Sequence, residues 1–197
     1  QHVFKKVSSK ISSIIIGFDA GARAEEGFPL GIAHFLEHAC FKGTNARTYL
    51  DINREIAFLG GNVNAFTSSE MVAYYLSVPF ENTEKAIEIL KDMVFNSVFP
   101  NEEIIKEKEV VKEEELSTKD SVDDYVWNEF IKSFYSGRTS MPVIGTQESI
   151  DTFDRNSLVE FHKKFYVDDN AIVSLCSNHS ITAGKVLLNK YFGKTNK

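Results

Sequence analysis

The chain alternates short apolar runs with longer segments in which apolar residues recur at helical spacing, a pattern that predicts strands and helices sharing one α+β domain. "SSIIIGF" (12–18) is β-branched and predicts a buried strand. "TYLDINREIAFLG" (48–60) places Leu50, Ile52, Ile56 and Leu59 near helical spacing and stops at Gly60-Gly61. "NVNAFTSS" (62–69) and "EMVAYYLSVP" (70–79) are β-rich runs joined by a polar turn. "NTEKAIEILKDMVFNSVF" (82–99) predicts an amphipathic helix closed by Pro100. Asn101 is then expected to cap a long charged helix, "EEIIKEKEVVKEEEL" (102–116). Further helices are predicted over about 121–135, over about 154–166 after "MPVIGT", and over 181–192, with a strand at 170–177. No internal repeat, low-complexity segment or Gly/Pro/Ser linker divides the chain.

Composition narrows the partners. At 197 residues, 43% hydrophobic and with 16 Phe, the chain is long enough for one domain with a sizeable core. A formal net charge of -6 argues against nucleic acid or an anionic membrane, either of which favours a basic face. No apolar run approaches the roughly 20 residues of a membrane span. Cys40 and Cys176 make no disulfide framework and fit a reducing compartment, the cytoplasm or an organelle matrix. The start, "QHVFKKVSSK", has neither an apolar signal core nor an initiator Met, and a trimmed start would leave export open.

The chemistry concentrates in "GIAHFLEHACFKGT" (31–44), framed as a short helix by Gly27 and Pro29 before it and Gly43 at its end. At about 100° per residue, His34, Glu37 and His38 fall at roughly 0°, 300° and 40°, on one face. Phe35 and Leu36 turn to the other side and would anchor the helix in the core. Two imidazoles one turn apart can converge on a metal at about 2 Å. Glu37 lies between them along the chain, close enough to reach a metal-bound water without ligating. A solvated polar stripe is the alternative reading, and it is the usual one for a single histidine.

A hydrolytic zinc site usually takes three protein ligands and keeps one position open. Cys40 points about 200° away from His38 around the helix. His162 is expected on a solvated helix face, and Cys176 with His179 makes only a lone C-x-x-H. The better candidates lie in the 104–116 charge run. Ile104, Glu107, Val111 and Glu114 follow at spacings of three, four and three, placing two carboxylates in the expected apolar stripe. Glu113 lies well off that face, while Glu115 is only marginally excluded. A buried unpaired carboxylate is costly, and binding a cation is a common remedy. Two turns apart, Glu114 could bind metal while Glu107 supports a ligand histidine.

H-x-x-E-H is the inverted form of the H-E-x-x-H zinc-protease motif. With its flanks, "GIAHFLEHACFKGT" resembles the active-site segment of the pitrilysin/insulinase family of inverted zincin metallopeptidases, especially its processing-peptidase branch. "LGGNVNAFTSSEMVAYYLSV" is similar to that family's edge-strand segment, "EKEVVKEEEL" to its third-ligand segment, and "PVIGTQESIDTFDRNSLVEFHKKFYVDDNAIV" to the lead into its last strand. The resemblance covers nearly the whole chain. It implies a mostly antiparallel sheet flanked by helices, with one Zn2+ per chain held by His34, His38 and Glu114. Glu37 would be the general base and Glu107 the supporting catalytic carboxylate. The 76 positions between His38 and Glu114 fit the family spacing and favour Glu114 over Glu115. Departures are Cys40, where relatives often carry a larger apolar residue, and "SLCSNHS", which replaces a glycine-containing strand end.

The resemblance implies a zinc-dependent endopeptidase unit spanning 1–197, with zinc-activated water attacking peptide bonds in extended or unfolded segments. Such peptides would pair with the edge strand near Asn64, Ala65 and Phe66. A plain buried strand is the alternative for that segment. The family unit is half of a clamshell, so a second homologous half or subunit is the expected partner. A non-catalytic family subunit acting as scaffold or peptide-binding partner, and a metal hydrolase with a non-peptide substrate, are the competing readings. Loss of ligands would mark the first of these, and the edge-strand segment argues against the second.

Overall fold

The β-branched run near the N-terminus becomes the middle strand of a five-stranded sheet in a computed structural model that describes residues 1–193. The strands are β1 (His2–Lys6), β2 (Ile11–Phe18), β3 (Asn62–Thr67), β4 (Val72–Pro79) and β5 (Ala171–Ser177). The helices are α1 (Ile32–Cys40), α2 (Tyr49–Phe58), α3 (Thr83–Phe95), α4 (Asn101–Asp120), α5 (Val122–Phe134), α6 (Gln147–Thr152), α7 (Arg155–Phe165) and α8 (Ile181–Phe192), with short 3-10 turns between some of them. Sheet order is β1-β5-β2-β4-β3; only the β1/β5 pair is parallel. The protein is therefore α+β with a mostly antiparallel sheet.

Alternation decides which face the helices cover. Ile14, Ile16 and Phe18 of β2, Tyr74, Leu76 and Val78 of β4, and Val173 and Leu175 of β5 are all buried. Phe35 and Leu36 of α1, Ile87 and Leu90 of α3, Phe161 of α7 and Leu188 of α8 close over them in one cluster. Helix starts follow local chemistry. Thr48 with Asp51, and Asp154 with Ser157, form capping boxes that open α2 and α7.

Several expectations need correction. Strand β1 was not predicted; it is a largely exposed edge strand whose polar sequence lacks alternation. Helix α6 was missed as well, being only six residues long and fixed by a Thr146/Ser149 capping box. The 82–99 segment is helical only to Phe95: Ser97 forms an isolated bridge with Thr44, and Phe99 returns to the core at φ 50°. Asn101 does not cap α4: Pro100 holds the cap position, and no side chain caps this end. The helix also runs on to Asp120. The 62–67 strand is the sheet's outer edge with alternating exposure, not a plain buried strand.

Candidate metal and peptide site

Helix α1 begins where Gly31 adopts φ 86°, and a Cβ there would lie 2.4 Å from the Ile144 carbonyl oxygen, so glycine is required. No side chain of its own caps this helix. Glu25, fully buried, does so from outside: its Oε2 accepts from the Gly31 N–H at 2.9 Å and its Oε1 from the Ala33 N–H at 3.0 Å. Arg138 ties the same turn by donating to the Phe28 carbonyl at 2.7 Å. The start of the histidine-bearing helix is thus held on two sides.

Burial pushes the Glu25 carboxyl up from its ordinary 4.5 to about 7, against the two amide hydrogen bonds and Arg138, which favour its charge. Between those values the folded protein binds the extra proton. Its contribution to stability is complete below about pH 4.5 and is lost as pH rises through about 7. Wild type should therefore lose stability relative to Glu25→Gln over that interval in paired thermal melts. A pH-independent difference would contradict this assignment.

The polar face of α1 meets α4. His34 Nε2 lies 3.7 Å from Glu114 Oε1, and His38 Nε2 lies 3.5 Å from Glu114 Oε2. One donor atom from each of the three residues lies within 4.8 Å of the other two. Among the described residues this is the one group of three or more His, Cys, Asp or Glu so arranged. Two imidazole nitrogens and a carboxylate oxygen make a donor set that suits zinc. His38 Nδ1 pairs with Glu107 Oε1 at 2.8 Å, which fixes its tautomer and leaves Nε2 facing Glu114. The Nδ1 of His34 is buried without a partner, unlike that of His38. Glu114 is 43% exposed, leaving this side open to water.

Electrostatics follow the packing. Burial, reinforced by neighbouring His38, pulls His34 down to about 3, so its imidazole is neutral and has a lone pair available. Burial disfavours charge on His38 too, but Glu107, then Glu114 and Glu37, hold it above its usual range. Glu107 stays below the usual carboxylate range although buried, because His38 and Lys42 both bond to it. The Lys42 ammonium lies 2.5 Å from Glu107 Oε2, a contact between α4 and the turn after α1 that no spacing within either segment specifies. Burial raises the Glu37 carboxyl, opposed by a hydrogen bond from Thr67.

The α4 stripe differs from expectation. Its buried positions are Ile104, Glu107, Val111 and Glu115, whereas Glu114 is exposed. Around the helix axis Glu114 falls within roughly 20° of Glu107, just outside one edge of the stripe, while Glu115 falls about 80° from Glu107, at the opposite edge. Glu115 is already satisfied by Lys119 at 2.6 Å and Gln147 at 2.8 Å. Glu114 therefore reaches the histidines from the rim of the core and not from inside it.

His162 also needs correction. It is half-buried, donates or accepts at the Val94 carbonyl at 2.8 Å, stacks on Tyr166 and is held below its usual range by burial. Cys40 points into the core as expected, where burial pushes its thiol up to about 12. His179 bonds Ser177 and packs on Phe80.

The edge strand lies beside this cluster. A cavity of about 350 Å³ is lined by Glu37, His38, Phe41, Lys42, Val63 and Asn64, among others. A larger one of about 550 Å³, lined by Ile15, Gly17, Ala73 and Ile172 on the other face of the sheet, includes none of the cluster. On β3, Asn64 and Phe66 are exposed while Val63, Ala65 and Thr67 turn inward. The Ala65 N–H is taken by the Asn64 side chain at 2.8 Å and not by β4. Thr67 donates to Glu37 Oε2 at 2.5 Å. Sequence reasoning passed over Thr67, although period-two alternation from Val63 and Ala65 places it on the inward face.

Known proteins agree with this architecture. The chain is 39% identical over 171 residues to a Rickettsia bellii protein described as an uncharacterized zinc protease, covering 85% of this chain and 42% of that protein. It is 30% identical over 186 residues to the probable mitochondrial-processing peptidase subunit beta of Schizosaccharomyces pombe, covering 94% and 41%. A crystal structure described as a peptidase M16 inactive domain from Pseudomonas fluorescens superposes with a TM-score of 0.89 at 17% identity, over 97% of this chain and 47% of that one. The chain thus spans less than half the length of these relatives. Residues 3–147 match the model of the family described as Insulinase (Peptidase family M16), so the chain, with its α+β fold and its zinc-protease homologues, belongs to the insulinase family of peptidases.

Proposed function

We propose that residues 1–197 form the zinc-binding catalytic unit of an endopeptidase acting on extended peptides or unfolded segments. The observation that supports this best is the convergence of His34, His38 and Glu114, with Glu37 on the same helix face and an edge strand alongside. His34, His38 and Glu114 would hold one zinc, and Glu107 would orient His38. When bound, the metal supplies a Lewis acid that makes water nucleophilic near neutral pH and polarises the scissile carbonyl. Glu37 accepts the proton of the attacking water and delivers it to the leaving amine. Its burial on the histidine face of α1 and its hydrogen bond from Thr67 of β3 support this role toward a peptide that pairs with that strand.

The peptide pairs through its backbone along Asn64, Ala65 and Phe66. Pairing at Ala65 requires the Asn64 side chain to release the Ala65 N–H, after which Asn64 is free to contact the peptide. A peptide on this strand has one wall only, so full activity needs a second homologous half, in the same polypeptide or in a separate subunit. That second wall excludes water and orients the scissile bond.

The test is cleavage of internally quenched, extended peptides by the full-length protein, with products identified by mass spectrometry. Internal cleavage that stops with a zinc chelator supports the reading. Peptide binding without cleavage by the zinc-loaded protein would replace it with the scaffold reading. Glu107→Ala should lower zinc affinity or turnover by roughly 10- to 100-fold, as loss of a ligand's supporting carboxylate does. A variant matching wild type in both would return Glu107 to a purely structural role.

A further inference from the structure

We propose that Thr67 is a positioning residue for Glu37, an inference that rests on the reading of Glu37 as the base. The Thr67 hydroxyl donates to Glu37 Oε2 at 2.5 Å across the gap between strand β3 and helix α1. Glu37 is 8% exposed, and this is a charge-assisted bond to a carboxylate at the floor of the cleft. A carboxylate accepts at two oxygens, and a donor fixed on one settles the torsion that aims the other. With Oε2 held, Oε1 is the oxygen left to take a proton from water and return it to the amine.

Thr67 is suited to this by its placement. It ends the edge strand, paired in register with Val72, and its side chain shares the inward face with Val63 and Ala65. Its β-branched side chain has restricted χ1 freedom, so the hydroxyl is held in place by the strand itself. The same strand that receives the peptide backbone therefore fixes the base that acts on that peptide. Loss of the hydroxyl should reduce the rate of the chemical step and leave peptide pairing intact.

The experiment uses the full-length, zinc-loaded protein. Thr67→Val keeps the branched shape and removes the donor; Thr67→Ser keeps the donor. The valine variant should lose roughly 10- to 100-fold in kcat, the range for a hydrogen bond to a charged group, with KM within about twofold and zinc content unchanged. The serine variant should recover to within about threefold of wild type, the allowance for its freer χ1. Combined with Glu37→Gln, the valine change should add almost nothing, since both act through one proton transfer. In metal-free crystals Glu37 should keep its orientation with serine and lose it with valine. Wild-type kcat in Thr67→Val, equal losses for serine and valine, or full additivity with Glu37→Gln would overturn the proposal. Wild-type turnover by Glu37→Gln would instead overturn the proposed function. Should the valine variant not fold, Thr67→Ala carries the same measurements.

Discussion

Glu37→Gln should leave zinc bound and the fold intact while peptide hydrolysis falls by several orders of magnitude. Glutamine keeps the size and the Thr67 contact of the glutamate but cannot take a proton at the working pH. General-base contributions are typically 10²- to 10⁴-fold. The side chain sits on the histidine face of α1, yet it is not one of the three residues whose donor atoms converge. Metal content and kcat should therefore separate. Loss of zinc along with activity would make Glu37 a ligand and require the donor set to be redrawn.

The second large effect concerns the proposed ligands. Replacing His34, His38 or Glu114 with Ala should abolish stoichiometric zinc, because two remaining donors do not hold a catalytic ion tightly. Glu115→Ala supplies the contrast. Its carboxylate is buried against Lys119 and Gln147, so its removal should cost stability and leave zinc in place. Metal analysis of purified Glu114→Ala and Glu115→Ala proteins distinguishes the two. Zinc retained in the first and lost in the second would move the third ligand to Glu115.

How far the sequence foretold this differs from residue to residue. Helix α1 was legible because its polar face and its core-facing Phe35 and Leu36 have the helical period, and no competing pattern overlaps them. Glu114 was reached for a partly wrong reason. Spacings of three and four permit either Glu114 or Glu115 in the stripe, and the buried one proved to be Glu115. Family spacing, not periodicity, separated them. Strand β1 could not be read at all, since its pairing with β5 joins residues more than 160 positions apart and its own sequence has no apolar alternation. Cross-chain contacts such as Lys42 to Glu107, Thr67 to Glu37 and Arg138 to Phe28 depend on how elements pack. A linear pattern places each of these residues on a face but does not say which partner that face meets.

On the proposed function, one zinc held by His34, His38 and Glu114 is required for peptide cleavage. The most direct test is titration of zinc into chelator-stripped full-length protein, reading bound metal and peptide turnover in the same samples. Turnover should be absent at the start, rise in proportion to bound zinc and level off at about one zinc per chain, the stoichiometry of a single three-ligand site. Peptide cleavage by the metal-free protein, or zinc bound at that stoichiometry with no turnover at all, would contradict it.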